Sequence, residues 1–126
     1  MVNVAIVGCN GKMGGFVAAA VAENKETKTM FGIDAFGEKD FDFPVYKNFL
    51  DVTDKPDVII DFSNPAVLDD MLEFAVKNSV PCVICTTGYS KEQVQKIKNA
   101  SNKVAVFYSG NMSLGINVLI EIAKSA

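Results

Sequence analysis

The feature that most constrains the fold is a glycine-rich turn that follows a short apolar run near the start of the chain. The apolar run 4–7 stops at Gly8, and Gly11 and Gly14 follow at steps of three residues. Apolar residues then recur at helical spacing, at Met13, Phe16, Val17, Ala20 and Val21. We therefore predict a strand over 2–7 that turns sharply into a helix over 11–23. The first amides of such a helix carry partial positive charge and suit a phosphate group.

A carboxylate at the end of the second predicted strand extends this interpretation. Asp34 closes the run 28–34 and follows Gly14 by about 20 residues, the spacing at which an acidic residue accepts the hydroxyls of an adenosine ribose. A glycine turn alone is ordinary in α/β proteins. Strand, glycine turn, helix, strand and terminal carboxylate together favour a dinucleotide site.

The composition argues against several classes of function. At 126 residues the chain is long enough for one domain with a core, and its charge of −3 without a basic stripe argues against nucleic acid as a partner. No apolar run reaches membrane-spanning length, and the N-terminus lacks the charged region of a signal peptide, so we expect a cytoplasmic protein. With no histidine and no credible nucleophile or acid/base pair, we predict no catalytic residue and no metal site.

The spacing of two cysteines resembles a redox or metal motif. Cys82 and Cys85 form C-x-x-C, but they lie inside the apolar run 80–85 rather than at the start of a helix. Three residues apart on a strand, their side chains point to opposite faces of the sheet. We therefore predict buried core thiols.

The remaining chain alternates between strands and helices. We predict strands over 57–62, 80–85 and 104–108. Residues 44–46 are compatible with a short edge strand. One helix follows Pro65, capped by Ser63 or Asn64, one follows a capping box of Ser90 and Gln93, and a last helix begins near Ser113. This order predicts an α/β fold with a doubly wound, mostly parallel sheet, a Rossmann-like single domain.

The predicted strand ends are small and polar. Ligands of such sheets bind beyond the carboxyl ends of the strands, so these segments are expected on one rim. Small polar residues also make good turns, which explains any one of them but less easily all five. The five ends are 8–10, Asp34, 61–63, 86–88 and 109–111.

Four motifs resemble the N-terminal, nucleotide-binding domain of the dihydrodipicolinate reductase family. They are G-C-N-G-K-M-G at 8–14, D-F-S at 61–63 with Pro65 behind it, T-T-G-Y at 86–89 and N-M-S-L-G-I-N at 111–117. The resemblance implies hydride transfer from NADH or NADPH to a small-molecule substrate, a cyclic unsaturated dicarboxylic acid, in diaminopimelate and lysine biosynthesis.

The resemblance also implies which residues hold the cofactor. The glycine loop would hold the pyrophosphate, Asp34 the adenosine ribose, and two later strand ends the nicotinamide. At Cys85 the family usually has glycine, so the backbone is the expected contact there. The implied residues are Gly8, Cys9, Asn10, Gly11, Lys12, Met13, Asp34, Cys85, Thr86, Thr87, Ser109, Gly110, Asn111 and Met112.

Two departures from the family pattern matter. Members that use NADPH often carry arginine after the acidic residue, where this chain has Ala35, so we expect NADH to be favoured unless Lys12 or Lys39 substitutes. The family's His-His-x-x-Lys and Ala-Pro-Ser-Gly-Thr segments lie in a following domain and are not found in 1–126. We therefore expect one dinucleotide-binding domain that binds cofactor without useful turnover.

The last predicted helix is apolar over most of its surface. Leu114, Ile116 and Leu119 are among its apolar residues, and such a helix is expected to be covered. We expect a homo-oligomeric full-length enzyme and self-association of these 126 residues through this helix, with cover by the chain's own sheet as an equal alternative.

Two other functions share the glycine turn and Asp34. A stand-alone dinucleotide-sensing module would need neither 86–88 nor 111–117. A methyltransferase-type domain that binds adenosylmethionine is disfavoured by glycine at both Gly11 and Gly14.

Overall fold

The apolar runs of the sequence form the strands of one parallel sheet. The computed structural model describes residues 2–35 and 41–108. The strands are β1 Val2–Val7, β2 Thr27–Ile33, β3 Val45–Tyr46, β4 Val58–Asp61, β5 Cys82–Ile84 and β6 Val106–Tyr108. The helices are α1 Lys12–Glu23, α2 Leu68–Asn78 and α3 Lys91–Ser101. No helix in the described ranges is both long enough and apolar enough to cross a membrane.

The strand order confirms the predicted doubly wound sheet. The order is β3-β2-β1-β4-β5-β6, and every neighbouring pair is parallel. The chain runs outward from β1 in one direction and then restarts beside β1 in the other, so the order reverses between β1 and β4. The crevice at the carboxyl ends of these two strands is where folds of this kind bind ligands.

Two apolar cores cover the two faces of the sheet. Residues of α2 and α3 pack on one face and residues of α1 on the other. Val58, Ile59 and Ile60 are all fully buried, as expected of a central strand that has helices on both sides. Cys82 belongs to one core and Cys85 to the other, so the prediction of buried thiols on opposite faces is confirmed.

The orientation of α1 is set by a glycine rather than by its largest apolar side chains. A β-carbon on Gly14 would lie 2.0 Å from the carbonyl oxygen of Gly8, so this position must face the end of β1 with no side chain. That contact turns Val17 and Val21 into the core. The predicted helix is confirmed, but its apolar stripe is not all buried. Met13 and Phe16 lie on the exposed side, 40% and 56% accessible.

The predicted helix starts are confirmed with small adjustments. The Ser90 hydroxyl accepts from Gln93 N, and Gln93 Oε1 accepts from Ser90 N, so the capping box before α3 is present. Of the two cap candidates before Pro65, Asn64 is the one used, because its Oδ1 accepts from Ala66 N at 2.9 Å. A 3-10 turn, Pro65–Val67, precedes α2. The last predicted helix lies outside the described residues.

We predict that Gly14→Ala destabilises the chain by about 2–3 kcal/mol, because the added methyl group overlaps rigid backbone at Gly8. Chemical denaturation followed by circular dichroism measures the change. Gly15→Ala is the matched control, since Gly15 is half-buried in the same helix and lines an open groove. The control should leave stability unchanged or raise it by up to about 1 kcal/mol. Equal stability of both variants would contradict the assigned role of Gly14.

Candidate functional site

The glycine turn lies at the centre of the rim, between the ends of β2 and β4. Gly8 has a φ of +86°, which glycine adopts without strain, and its N–H donates to Ile33 O at 2.7 Å. On its other side, a β-carbon at Gly8 would lie 2.6 Å from Phe62 O. The turn is therefore closely packed against both neighbouring strand ends, and its backbone is held in place.

The start of α1 carries no side-chain cap. Gly11 precedes the helix with extended backbone and makes no side-chain cap hydrogen bond, and the first turn contains no acidic residue. Gly11, Lys12 and Met13 are exposed. By contrast, α3 begins with a complete capping box at Ser90. The first turn of α1 therefore presents amides and a positive dipole end to the rim, which suits an anion.

Asp34 is joined directly to the glycine turn. Its Oδ2 accepts a hydrogen bond from Asn10 N at 2.9 Å, and its own N–H donates to Tyr46 O at 2.9 Å. The carboxylate is half-buried immediately after β2. A carboxylate accepts several hydrogen bonds, so the bond to Asn10 is compatible with accepting hydroxyl groups as well. The predicted phosphate-facing turn and the predicted ribose acceptor therefore form one unit.

A cavity opens beside this unit. Its walls include Gly8, Asp34, Lys47, Ser63 and Asn64. It lies between the end of β2 and the loop after β4, on the outward side of the glycine turn. The sequence predictions named Asp34 and the loop after β4 but missed Lys47, which comes to the cavity because β3 pairs with the end of β2. Spacing along the chain contains no signal for that pairing.

A buried carboxylate lies on the other side of the turn, at the end of β4. Asp61 is 1% exposed. Its Oδ1 accepts from Ser63 N at 3.0 Å and from the Ser63 hydroxyl, and its Oδ2 accepts from the Tyr89 hydroxyl at 3.0 Å. The buried Thr86 hydroxyl lies close enough to lower the pKa of Asp61. Among the described residues, the Thr86 hydroxyl has no partner that meets the geometry of a hydrogen bond.

Burial dominates the protonation equilibria around Asp61. Desolvation raises the pKa of Asp61 above its ordinary value of 3.8, and hydrogen bonds from Ser63, Thr86 and Tyr89 oppose that rise. Desolvation, with a smaller contribution from the Asp61 charge, raises the pKa of Cys82 to about 12 and of Cys85 to about 11. Neither thiol is a thiolate near neutral pH, which agrees with their role in the core.

Tyr89 has two roles at this place. Its ring packs edge-to-face on Tyr108, with 5.6 Å between the ring centroids. Its hydroxyl also binds Asp61, which the sequence did not predict. Desolvation raises the pKa of Tyr89, and the nearby Asp61 charge adds to the rise, so the hydroxyl remains a donor.

The rest of the predicted site is distributed as follows. Cys85 and Thr86 come directly after β5 on the same rim, both buried, and Thr87 is exposed. Cys9 is buried with its sulfur packed against Gly32, so its side chain belongs to the core and only its backbone faces the turn. Ser109, Gly110, Asn111 and Met112 lie outside the described residues.

The described residues fit a dinucleotide in three respects. Side chains are excluded by close packing at Gly8 and Gly14, so the backbone of the turn is bare where a pyrophosphate would approach. The first turn of α1 offers uncapped amides. Asp34 supplies an anionic acceptor beside a cavity.

The buried carboxylate gives a pH prediction. Because the native pKa of Asp61 is raised, its contribution to stability is greatest below its ordinary value of 3.8 and is lost as pH rises through the native value. The unfolding free energy of the wild type relative to Asp61→Asn should therefore fall as pH rises from about 4. Denaturation at several pH values measures this difference. A difference that rises with pH would show that the hydrogen bonds outweigh burial.

The chain resembles known proteins in sequence and in fold. A family model described as dihydrodipicolinate reductase, N-terminus, matches residues 2–112. The 4-hydroxy-tetrahydrodipicolinate reductase of Clostridium novyi is 41% identical over 124 residues, which are 98% of this chain and 49% of that protein. That of Caldanaerobacter subterraneus is 43% identical over 126 residues, 100% of this chain and 50% of that protein.

Solved structures agree. A dipicolinate-bound dihydrodipicolinate reductase from Paenisporosarcina superposes with a TM-score of 0.67 at 30% identity, over 80% of this chain and 43% of that one. A myo-inositol 2-dehydrogenase from Lactobacillus plantarum shares the fold, with a TM-score of 0.71 at 16% identity, over 86% of this chain and 35% of that one. The chain spans about half the length of the curated relatives it matches. Together with the rim geometry, these matches show that the chain belongs to the dihydrodipicolinate reductase family and corresponds to its N-terminal part.

Proposed function

We propose that these residues bind a reduced nicotinamide dinucleotide and serve as the nucleotide-binding part of a 4-hydroxy-tetrahydrodipicolinate reductase. Members of the family bind NADH or NADPH. The observation that carries the proposal is the hydrogen bond from Asn10 N to Asp34 Oδ2. It joins the proposed ribose acceptor to the proposed phosphate-facing turn.

The pyrophosphate is proposed to lie over the turn at 8–13. Gly8 and Gly14 leave the backbone bare, and the amides at the start of α1 point to the rim. Backbone donors held in this way bind an anion with little reorganisation. The Cys9 side chain is proposed to take no part, because it packs into the core.

The adenosine is proposed to occupy the cavity beside Asp34. The Asp34 carboxylate would accept the ribose hydroxyls, and Ser63 and Asn64 would form the opposite wall. The nicotinamide would then extend to the other side of the turn, towards Thr86 and Thr87, where the backbone of Cys85 and residues 109–112 complete the predicted set. When bound, the reduced nicotinamide supplies a hydride.

The cofactor preference is proposed to favour NADH. Asp34 repels a 2′-phosphate, and Ala35 offers no guanidinium to compensate. Lys47 lines the same cavity and reduces the size of the preference. Lys12 lies at the start of α1, on the rim, and Lys39 lies outside the described residues.

The substrate is proposed to be a cyclic unsaturated dicarboxylic acid, in line with the names of the relatives and with the dipicolinate bound to the Paenisporosarcina protein. The groups that hold it and deliver the proton are proposed to lie outside the described rim, because residues 1–126 contain no histidine. A cytoplasmic location and self-association through the last helix stay predictions.

The first prediction from this proposal concerns the ribose acceptor. Asp34→Asn should weaken NADH binding about tenfold, because charge-assisted hydrogen bonds to the ribose are lost. NADPH should lose less, because repulsion of its 2′-phosphate is also removed, so the affinity ratio moves towards NADPH. Isothermal titration calorimetry with both cofactors measures the ratio.

Asp54→Asn is the matched control for that titration, since Asp54 is exposed and lies outside the cavity beside Asp34. It should leave both affinities unchanged. Unaltered NADH binding by Asp34→Asn would contradict the assignment of the ribose site, and no binding of either cofactor by the wild type would contradict the proposed function.

The second prediction concerns turnover. The 126 residues should bind NADH yet fail to oxidise it in the presence of 4-hydroxy-tetrahydrodipicolinate, because the described rim carries no histidine and its buried thiols are protonated. The decrease of NADH absorbance measures turnover, with a relative of full length as the positive control. Robust turnover by this chain would disprove the proposed division of roles.

A further inference from the structure

Asp61 lies between two loops that form the walls of the rim. The first loop, 62–67, follows β4 and lines the adenosine cavity through Ser63 and Asn64. The second, 85–90, follows β5 and carries Thr86 and Thr87. Asp61 Oδ1 accepts from the first loop, and Asp61 Oδ2 accepts from Tyr89 in the second.

Other contacts tie each of these loops to a neighbouring element. Gln93 Nε2 donates to Pro65 O at 2.9 Å, which fixes the start of α3 against the first loop. Cys85 N donates to Asp61 O at 3.0 Å, which extends the pairing of β4 and β5 by one residue. Asp61 is the only one of these residues whose side chain accepts from both loops.

Burying the Asp61 carboxylate is unfavourable unless its hydrogen-bond donors are in place. A carboxylate that is 1% exposed loses its hydration, and hydrogen bonds from Ser63 and Tyr89 replace that hydration. Removing the Tyr89 hydroxyl leaves Asp61 Oδ2 without its described donor, which is unfavourable for a buried carboxylate. This hydrogen bond therefore stabilises the conformation of the second loop in which Tyr89 contacts Asp61. An apolar residue at 61 would fill the space but would not fix that loop.

We propose that Asp61 is a positioning residue that, through Tyr89, holds Thr86 and Thr87 at the distance from the glycine turn that a bound nicotinamide requires. The inference rests on the proposed function, because it assumes that the second loop faces the nicotinamide. Asp61 acts through its two neighbouring loops and is given no contact with the cofactor.

The test compares two ligands that differ only at the nicotinamide end. Calorimetry measures the affinities of NADH and of ADP-ribose, which lacks the nicotinamide. Tyr89→Phe keeps the ring that packs on Tyr108 and removes the donor to Asp61. It should weaken NADH about tenfold and leave ADP-ribose within about twofold. The fluorescence of bound NADH should also shift towards that of free NADH.

Two control variants and one double-mutant cycle separate a positioning role from general destabilisation. Tyr46→Phe removes a hydroxyl from a ring that packs on Phe31 at the far edge of the sheet and should alter neither affinity. Asp57→Asn makes the same change as Asp61→Asn just before β4, at its opposite end, and should also be silent. The effects of Asp61→Asn and Tyr89→Phe on NADH affinity should be less than additive in the double variant, because both act through one hydrogen bond.

The outcomes distinguish failure of the cofactor site from failure of the positioning role. If the wild type binds neither ligand, the proposed function fails. If it binds ADP-ribose as tightly as NADH, or if Tyr89→Phe weakens both ligands equally, the cofactor site stands and the positioning role is wrong. A selective loss of NADH affinity, with coupling between Asp61 and Tyr89, supports the inference.

Discussion

The packing of the glycine turn between β1 and α1 is the constraint on which the rest of the structure depends. Gly14 faces Gly8 at a distance that leaves no room for a β-carbon, and Gly8 itself is pressed against Phe62. These contacts bring the start of α1 to the end of β1 and fix its rotation. They also bring the start of α1, which has no side-chain cap hydrogen bond, to the point where the strand order reverses. One steric requirement therefore shapes both the fold and the surface proposed to bind an anion.

Two carboxylates then divide the rim according to their surroundings. Asp34 is half-buried, binds the backbone of the glycine turn and opens onto a cavity, so it can accept further donors. Asp61 is buried, and its carboxylate already accepts hydrogen bonds from the loops on either side of it. The difference in solvation is the basis for proposing that Asp34 contacts a ligand and that Asp61 positions two loops.

Local patterns of the sequence contain much of this arrangement, but not all of it. The apolar runs, the glycine spacing, the capping box at Ser90 and the opposite faces of Cys82 and Cys85 depend on residues close together in the chain, and they were predicted. The exposure of Phe16, the place of Lys47 and the bond from Tyr89 to Asp61 depend on how distant segments meet, so spacing gave no sign of them. The resemblance to the family supplied the nicotinamide-facing segments, and the matches support reductase membership over a sensing module or a methyltransferase.

The central claim is that a dinucleotide places its pyrophosphate over the turn at 8–13. The most direct measurement is a titration of the ¹⁵N-labelled chain with NADH, followed by amide chemical shifts. The account predicts the largest changes at the amides of Asn10, Gly11, Lys12 and Met13. Saturable binding that leaves those amides unchanged and perturbs instead the groove between α2 and α3, near Leu72 and Lys96, would contradict it.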